Sequence, residues 1–199
     1  MKSKISIWIL SIVLLTLFAK NTYATVNTNS NYTVLNDIKS ISKIEVRGNV
    51  QLFISDNAPD QVTVYNKYYA ETALVQSRNG VLRISSYSTE KLVVWIKSES
   101  LLSVSAFDNA EIRSFGELSK IEFNIDLHNK ATASLDLDAY SVNVTLRDEA
   151  TISLSGRVEE FGMNRNLNTL VVNNGFSVGR NTENKIVNQA GKEIVAGLE

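Results

Sequence analysis

A pattern of about twenty residues recurs through the second half of the chain, and a fixed period of that length builds a stack of similar units rather than a compact enzyme fold. The aligned segments run from Leu101 to Ala110, from Ile121 to Ala131 and from Ser141 to Ala150, each an alternating strand, a polar turn and an alanine. Ala110, Ala131 and Ala150 fall 21 and then 19 residues apart, and Val104, Ile125 and Val144 keep the same two intervals.

Alternation with period two assigns the faces of these strands. Ile121, Phe123, Ile125 and Leu127 are expected inward in one unit, and Val142, Val144 and Leu146 in the next, while Glu122, Asn124, Asp126, Asn143, Thr145 and Arg147 face water. A second short strand follows each turn. It places Ala131, Ala133, Leu135 and Leu137, then Ala150, Ile152 and Leu154, inward against Thr132, Ser134, Asp136, Thr151, Ser153 and Ser155. Stacked in parallel, such units form a β-helix in which each coil touches only its neighbours. The turns are expected to align Asp108, His128 and Arg147 in one column, Asn109, Asn129 and Asp148 in the next, and Lys130 over Glu149 in a third. Mixed signs suit a strand spacing near 4.8 Å, where like charges would repel.

The first half also alternates, at Ile44 and Val46, at Val50, Leu52 and Ile54, at Val62 and Val64, and at Leu82 and Ile84. Gly48 and the pair Asn79-Gly80 sit where the chain must bend or reverse, the second being the stronger hairpin signal. Pro59 lies in a turn between two strands, and the only helix candidate is Tyr68 to Ser77. After Phe161 the pattern weakens. Arg165 stands where an apolar residue is due, which suits a capping unit, and the tail from Asn181 has few apolar residues before Ile194.

Lys2 and Lys4 precede an apolar run from Ile5 through Phe18, and Thr22 and Ala24 supply small residues for cleavage after position 24. This is the form of a secretory signal peptide, and the run falls short of the roughly 20 residues a membrane span needs. Residues 25–31 are too polar to pack and are expected to be a flexible leader, with a single domain over 32–199. Removing residues 1–24 takes three lysines and no acid, moving the formal charge from −1 to −4, which argues against nucleic-acid binding. With no cysteine in the chain, neither a lipid anchor nor disulfides are expected, so stability rests on burial and hydrogen bonding.

The stretch from Ile44 to Ser55, followed by Gln61 to Val64, Asn79 to Ile84 and then the repeated units, resembles the GIN domain family, whose members are described as putative autotransporter adhesin heads. The resemblance covers about Tyr32 to Phe176. It departs at the turns, where a Ser-Gly-Ala-Gly-like sequence is replaced by more charged ones and only the alanine persists. It implies a right-handed parallel β-helix, preceded by a few strands that are partly hairpin-connected, in an exported envelope protein with an adhesive or polymer-binding role. It brings no catalytic residues.

His128 is the only histidine, so a site needing two imidazoles is excluded, and an exposed turn is its simplest place. A Ser-His-Asp arrangement with Asp108 or Asp126 lacks any supporting nucleophile motif. Asp126, Asp136, Asp138, Asp148 and Glu149 could pair across coils as acid and base or hold calcium, although their spacing matches no calcium loop and a solvated face explains them. Tyr65, Tyr68, Tyr69, Tyr87 and Trp95 gather before the repeats, where they could stack on sugars or instead cover the solenoid's open end. Tyr68 and Tyr69 are expected to be the exposed pair, with Trp95 buried.

These observations favour a non-enzymatic, exported, all-β protein that binds a polysaccharide or other surface polymer through its outer faces, with no cofactor and no metal. Tyr68, Tyr69, Trp95, Asn109 and Asn129 are the ligand-binding candidates. The alternatives are a polysaccharide-acting enzyme using Asp126, Asp136 and Asp148, and an envelope assembly module that forms homo-oligomers. Neither nucleic acid nor an integral membrane segment is expected after cleavage.

Overall fold

The computed structural model describes residues 31–185, apart from Asn57, Lys67, Tyr68 and Leu167. The expected export signal, the expected leader up to Ser30 and the chain beyond Lys185 lie outside the described residues. Twelve strands join in one curled sheet: β1 (Thr33–Leu35), β2 (Lys43–Gly48), β3 (Val50–Ser55), β4 (Gln61–Val64), β5 (Ala73–Arg78), β6 (Val81–Ser86), β7 (Leu92–Lys97), β8 (Ser103–Phe107), β9 (Glu111–Leu127), β10 (Thr132–Leu146), β11 (Thr151–Arg165) and β12 (Leu170–Lys185). The one helix among the described residues, α1 (Tyr69–Thr72), is a single turn. Half of the helix candidate, residues 73–77, is instead part of strand β5.

The sheet has two wings. One runs β1, β4, β7, β3 and the other β5, β6, β2, β8, and β9 joins them by pairing its first residues with β3 and its last with β8, both in parallel. Strands β10, β11 and β12 then stack on β9 in parallel along nearly their whole length. The inner faces of both wings share one core, to which Leu52, Val94 and Ile112 come from one side and Ile44, Leu82 and Val104 from the other, all fully buried. Each such side chain contributes roughly 1.5–3 kcal/mol relative to exposure, so the alternation itself holds the wings together.

The order of tiers in space departs from the order in sequence. Strands β2 and β3 form the first tier made, yet they lie between β6 and β7 on one side and β8 and β9 on the other, parallel to all four. They are therefore not a hairpin. Gly48 turns the corner between them at φ 81°, and a Cβ there would lie 2.2 Å from the carbonyl oxygen of Ser86. The hairpin expected at Asn79-Gly80 is present, with φ 52° and 76°, and joins β5 to β6.

Three further expectations are corrected. Ile121 faces outward and is 84% exposed. Lys120 takes the inward position instead, pairing at 2.8 Å with buried Asp56 and donating to the Glu99 carbonyl at 3.0 Å, so the alternation breaks at that corner. The turn columns shift by one residue in the first unit: Phe107, His128 and Arg147 align, followed by Asp108, Asn129 and Asp148, as the alanine interval itself requires. Arg165 does not mark a last unit, because β12 follows it and Glu183 accepts a hydrogen bond from its Nε at 2.6 Å.

Candidate binding faces

The turns explain why aspartate and asparagine recur there. Asp108, Asn129 and Asp148 have φ of 62°, 58° and 59°, a left-handed conformation that Asx side chains tolerate better than most. Each side-chain oxygen also serves the tier before it. Tyr87 donates its hydroxyl to Asp108 Oδ2 at 3.0 Å, the Asp108 N–H donates to Asn129 Oδ1 at 3.2 Å, and the Asn129 N–H donates to Asp148 Oδ2 at 3.0 Å. The hydrogen bond to Asp108 raises the pKa of the Tyr87 hydroxyl. Asn129 is thus engaged in holding tiers together, while Asn109 is exposed beside it. In the adjoining column the Arg47 guanidinium lies 3.8 Å above the Phe107 ring, which stacks on His128 at 4.7 Å. His128 Nε2 also lies 3.0 Å from Asp126 Oδ1.

One outer face, on the wing with β8, is a polar grid. Asn124, Asn143, Gly162 and Thr182 form one row, and Glu122, Ser141, Glu160 and Arg180 the next. Gly162 leaves a gap in the grid, and a cavity of about 380 Å³ opens there among Asn143, Asn164 and Thr182. Towards β6 the same face carries ion pairs. Partial burial pushes the Glu45 carboxyl up, but Lys43 and Arg83 more than offset it and hold its pKa below the usual value.

The other outer face, on the wing with β3, is aromatic at one end. Trp95 stacks on Phe53 at 4.9 Å between ring centroids and meets Phe115 at 4.8 Å and Tyr65 at 6.2 Å, and Tyr65 in turn meets Tyr32 at 5.9 Å. Phe115 is 61% exposed, Tyr65 48% and Tyr32 46%. Trp95 is half-buried, packed among rings on the outside of the sheet rather than within the core. Phe115 reaches Trp95 because β9 carries a bulge: Ser114, Phe115 and Gly116 stand opposite the single residue Leu135 of β10. These two surplus residues are the difference between the 21- and 19-residue intervals. Bulges of this kind re-aim side chains. Beside the rings, Glu111 joins Arg113, Lys91 and Gln51; partial burial pushes its carboxyl up, but the Arg113 and Lys91 cations more than offset this and hold its pKa down.

The ligand-binding candidates do not converge. Trp95 belongs to the aromatic strip, Asn109 and Asn129 to the turns, and Tyr69 is half-buried against the core beside β5. Tyr68 lies outside the described residues. Sequence reasoning missed Phe53 and Phe115, although the unequal intervals flagged an insertion near the latter. Asp126, Asp136 and Asp148 do not converge either. Asp126 pairs with His128, Asp136 Oδ1 accepts from Ser155 Oγ at 2.9 Å, and Asp148 accepts from the Asn129 backbone. Among the described residues no cluster of three or more metal-ligating side chains occurs, and no helix is long and apolar enough to cross a membrane.

Residues 40–180 match the family model described as putative auto-transporter adhesin, head GIN domain. The chain belongs to the GIN domain family. Two solved structures resemble this GIN domain, titled as putative adhesins from Parabacteroides merdae and Parabacteroides distasonis, each with a TM-score of 0.57 and 14% identity. The first match covers 77% of this chain and 76% of the other, and the second 77% of each. No curated protein gives a significant sequence match. At that identity the likeness speaks to fold alone.

Proposed function

We propose that this GIN domain is an exported, adhesin-like, non-enzymatic protein that holds a polymer or surface through the outer faces of its tiers, closed as a right-handed parallel β-helix over residues 32–199. The observation that carries this reading is the parallel register of β9 to β12, which on the face away from the bulge keeps rows of hydrogen-bonding side chains aligned and exposed. A rigid ladder loses little freedom on binding, so many weak contacts can add up along a repeating ligand. The lysines and apolar run of residues 2–18 support export, and the family description supports adhesion.

The test is retention of the purified protein on insoluble cell-wall polymers and host surface glycans, with soluble products monitored in the same tubes. Retention without product release is expected. Product release would move the case to an enzyme, and a protein left in every supernatant would end the adhesin reading. A second reading, assembly between copies, is favoured by β12, which among the described strands pairs on one side only, with β11. It predicts a sedimentation coefficient that rises with protein concentration.

A further inference from the structure

Five aromatic rings in contact on the outside of a sheet are a costly use of large apolar side chains, since a contiguous exposed patch of this kind is uncommon unless it binds something. The rings form a strip with steps of 4.8–6.2 Å, running from Tyr32 and Tyr65 through Trp95 to Phe115. It lies across the strands, because β4, β7, β3 and β9 are successive neighbours in the sheet. Neighbouring strands lie about 4.8 Å apart, a step comparable to one pyranose residue of an extended glycan.

The direction continues beyond the rings. Trp95, Phe53, Arg113, Ser134 and Ser153 occupy one row of the register, so aromatic faces give way to a guanidinium and then to hydroxyl-bearing residues along the same line. Gln51, Glu111 and Lys91 border the strip in the row beside it, and Lys97 is exposed on its other side. Trp95 lies 29° from parallel to Phe53 and is tilted 54° to Phe115 and 57° to Tyr65, so the strip is a ridged aromatic surface, exposed at Tyr65 and Phe115. Bordered by charged and amide groups, it suits a sugar, whose ring C–H groups pack on aromatic surface and whose hydroxyls hydrogen-bond. An aliphatic protein partner would not need that border.

We propose that the strip of Tyr65, Trp95, Phe53 and Phe115 is a saccharide-binding subsite that packs against the C–H groups of successive pyranose residues of an extended glycan, completed by the bulge that lifts Phe115 onto Trp95. The proposal rests on the polymer-binding reading and names its ligand class and place. Lys97, exposed beside the strip, favours a uronate-bearing chain over a neutral one.

Trp95 supplies its own reporter. The chain has two tryptophans, and with Trp8→Phe only Trp95 remains. Its fluorescence is followed in the full chain during titration with hexasaccharides of β-linked glucose, β-linked N-acetylglucosamine and galacturonate, with the monosaccharides as controls. A saturable change with hexasaccharides, strongest for galacturonate and absent with monosaccharides, is expected, and Phe115→Ala weakens it about tenfold. Phe115 is exposed, so that variant keeps the fold, which circular dichroism checks, and Lys130→Gln at the distant, exposed turn leaves the titration unchanged.

Emission that ignores all three hexasaccharides would overturn the subsite, as would a Phe115→Ala titration identical to the parent. Retention on cell-wall polymer separates the two readings. Full retention by a Tyr65→Ala, Phe115→Ala double variant sinks the strip and leaves polymer binding to another face, whereas a fluorescence response without retention keeps the subsite and sinks the adhesin.

Discussion

The two halves of the molecule reach the same parallel stacking by different routes. From Glu111 onward each tier is one long strand, laid on the last with the interval that the alanines announce. Before it, each tier is two short strands, the tiers are out of sequence order, and antiparallel β1, β4 and β5 flank them. Regularity leaves the later outer faces mostly polar, whereas irregularity, through edge strands and the β9 bulge, gathers the aromatic strip. The repeat makes the scaffold and the departures from it make the candidate site.

Corner glycines test whether the two halves are equally tight. A Cβ at Gly48 or Gly156 would lie 2.2 Å from the carbonyl oxygen of Ser86 or Leu137, at φ 81° and 90°. Gly48→Ala and Gly156→Ala should therefore each cost about 4 kcal/mol or more in urea denaturation. Gly116 has a similar φ of 82° with open space around it, so Gly116→Ala should cost only about 1–2 kcal/mol of backbone strain. Equal losses at all three would mean that conformation rather than crowding sets the requirement.

The Lys120–Asp56 pair pins the two halves together, with side chains 3% and 7% exposed. Lys120→Met leaves a buried carboxylate unpaired and should cost roughly 3 kcal/mol, most of it recovered in the Lys120→Met, Asp56→Leu double variant. A double variant no better than the single would show that packing, not charge, is lost. At the turn ladder, Asn129→Ala should cost about 1 kcal/mol through the positive φ and the lost acceptor, and Asn129→Gly less. Thermal melts of the pair separate conformation from hydrogen bonding.

The smallest effect concerns pH. Glu45 and Glu111 titrate below 4.5 in the folded protein, so their contribution is complete above that value and is lost as pH falls through the folded-state pKa. Their partners are exposed, which holds each contribution to about 1 kcal/mol or less. Melting temperatures taken from about pH 6 down to 3 should fall less steeply in Glu45→Gln and Glu111→Gln than in the parent. A parallel fall would remove these pairs from the acid response.

The alternation and the alanine interval made the all-β class and most of the buried side chains legible, because a half-buried strand must alternate. Ile121 escaped because a buried ion pair overrode the local pattern at a corner, and pairing partners far along the chain are invisible to periodicity. Tier order escaped for the same reason: nothing in Ile44 to Ser55 says that its neighbours are Leu82 and Val104 rather than each other. The candidate site was half legible. Trp95 stood out as an aromatic near the repeats, but its partners Phe53 and Phe115 come from β3 and β9 and meet it only through the sheet.

The placement of β2 and β3 between later strands bears on how the chain can come to exist at all. These are the first strands of the parallel stack to be synthesised, and both of their edges wait for partners, on one side until Lys97 has been made and on the other until β8 and the start of β9 follow. Until then the growing chain carries two apolar strands with open edges, the condition under which strands pair with the wrong neighbour. Folding from the amino end as synthesis proceeds is therefore closed to this topology, and a truncated product ending before residue 107 would be sticky rather than partly native.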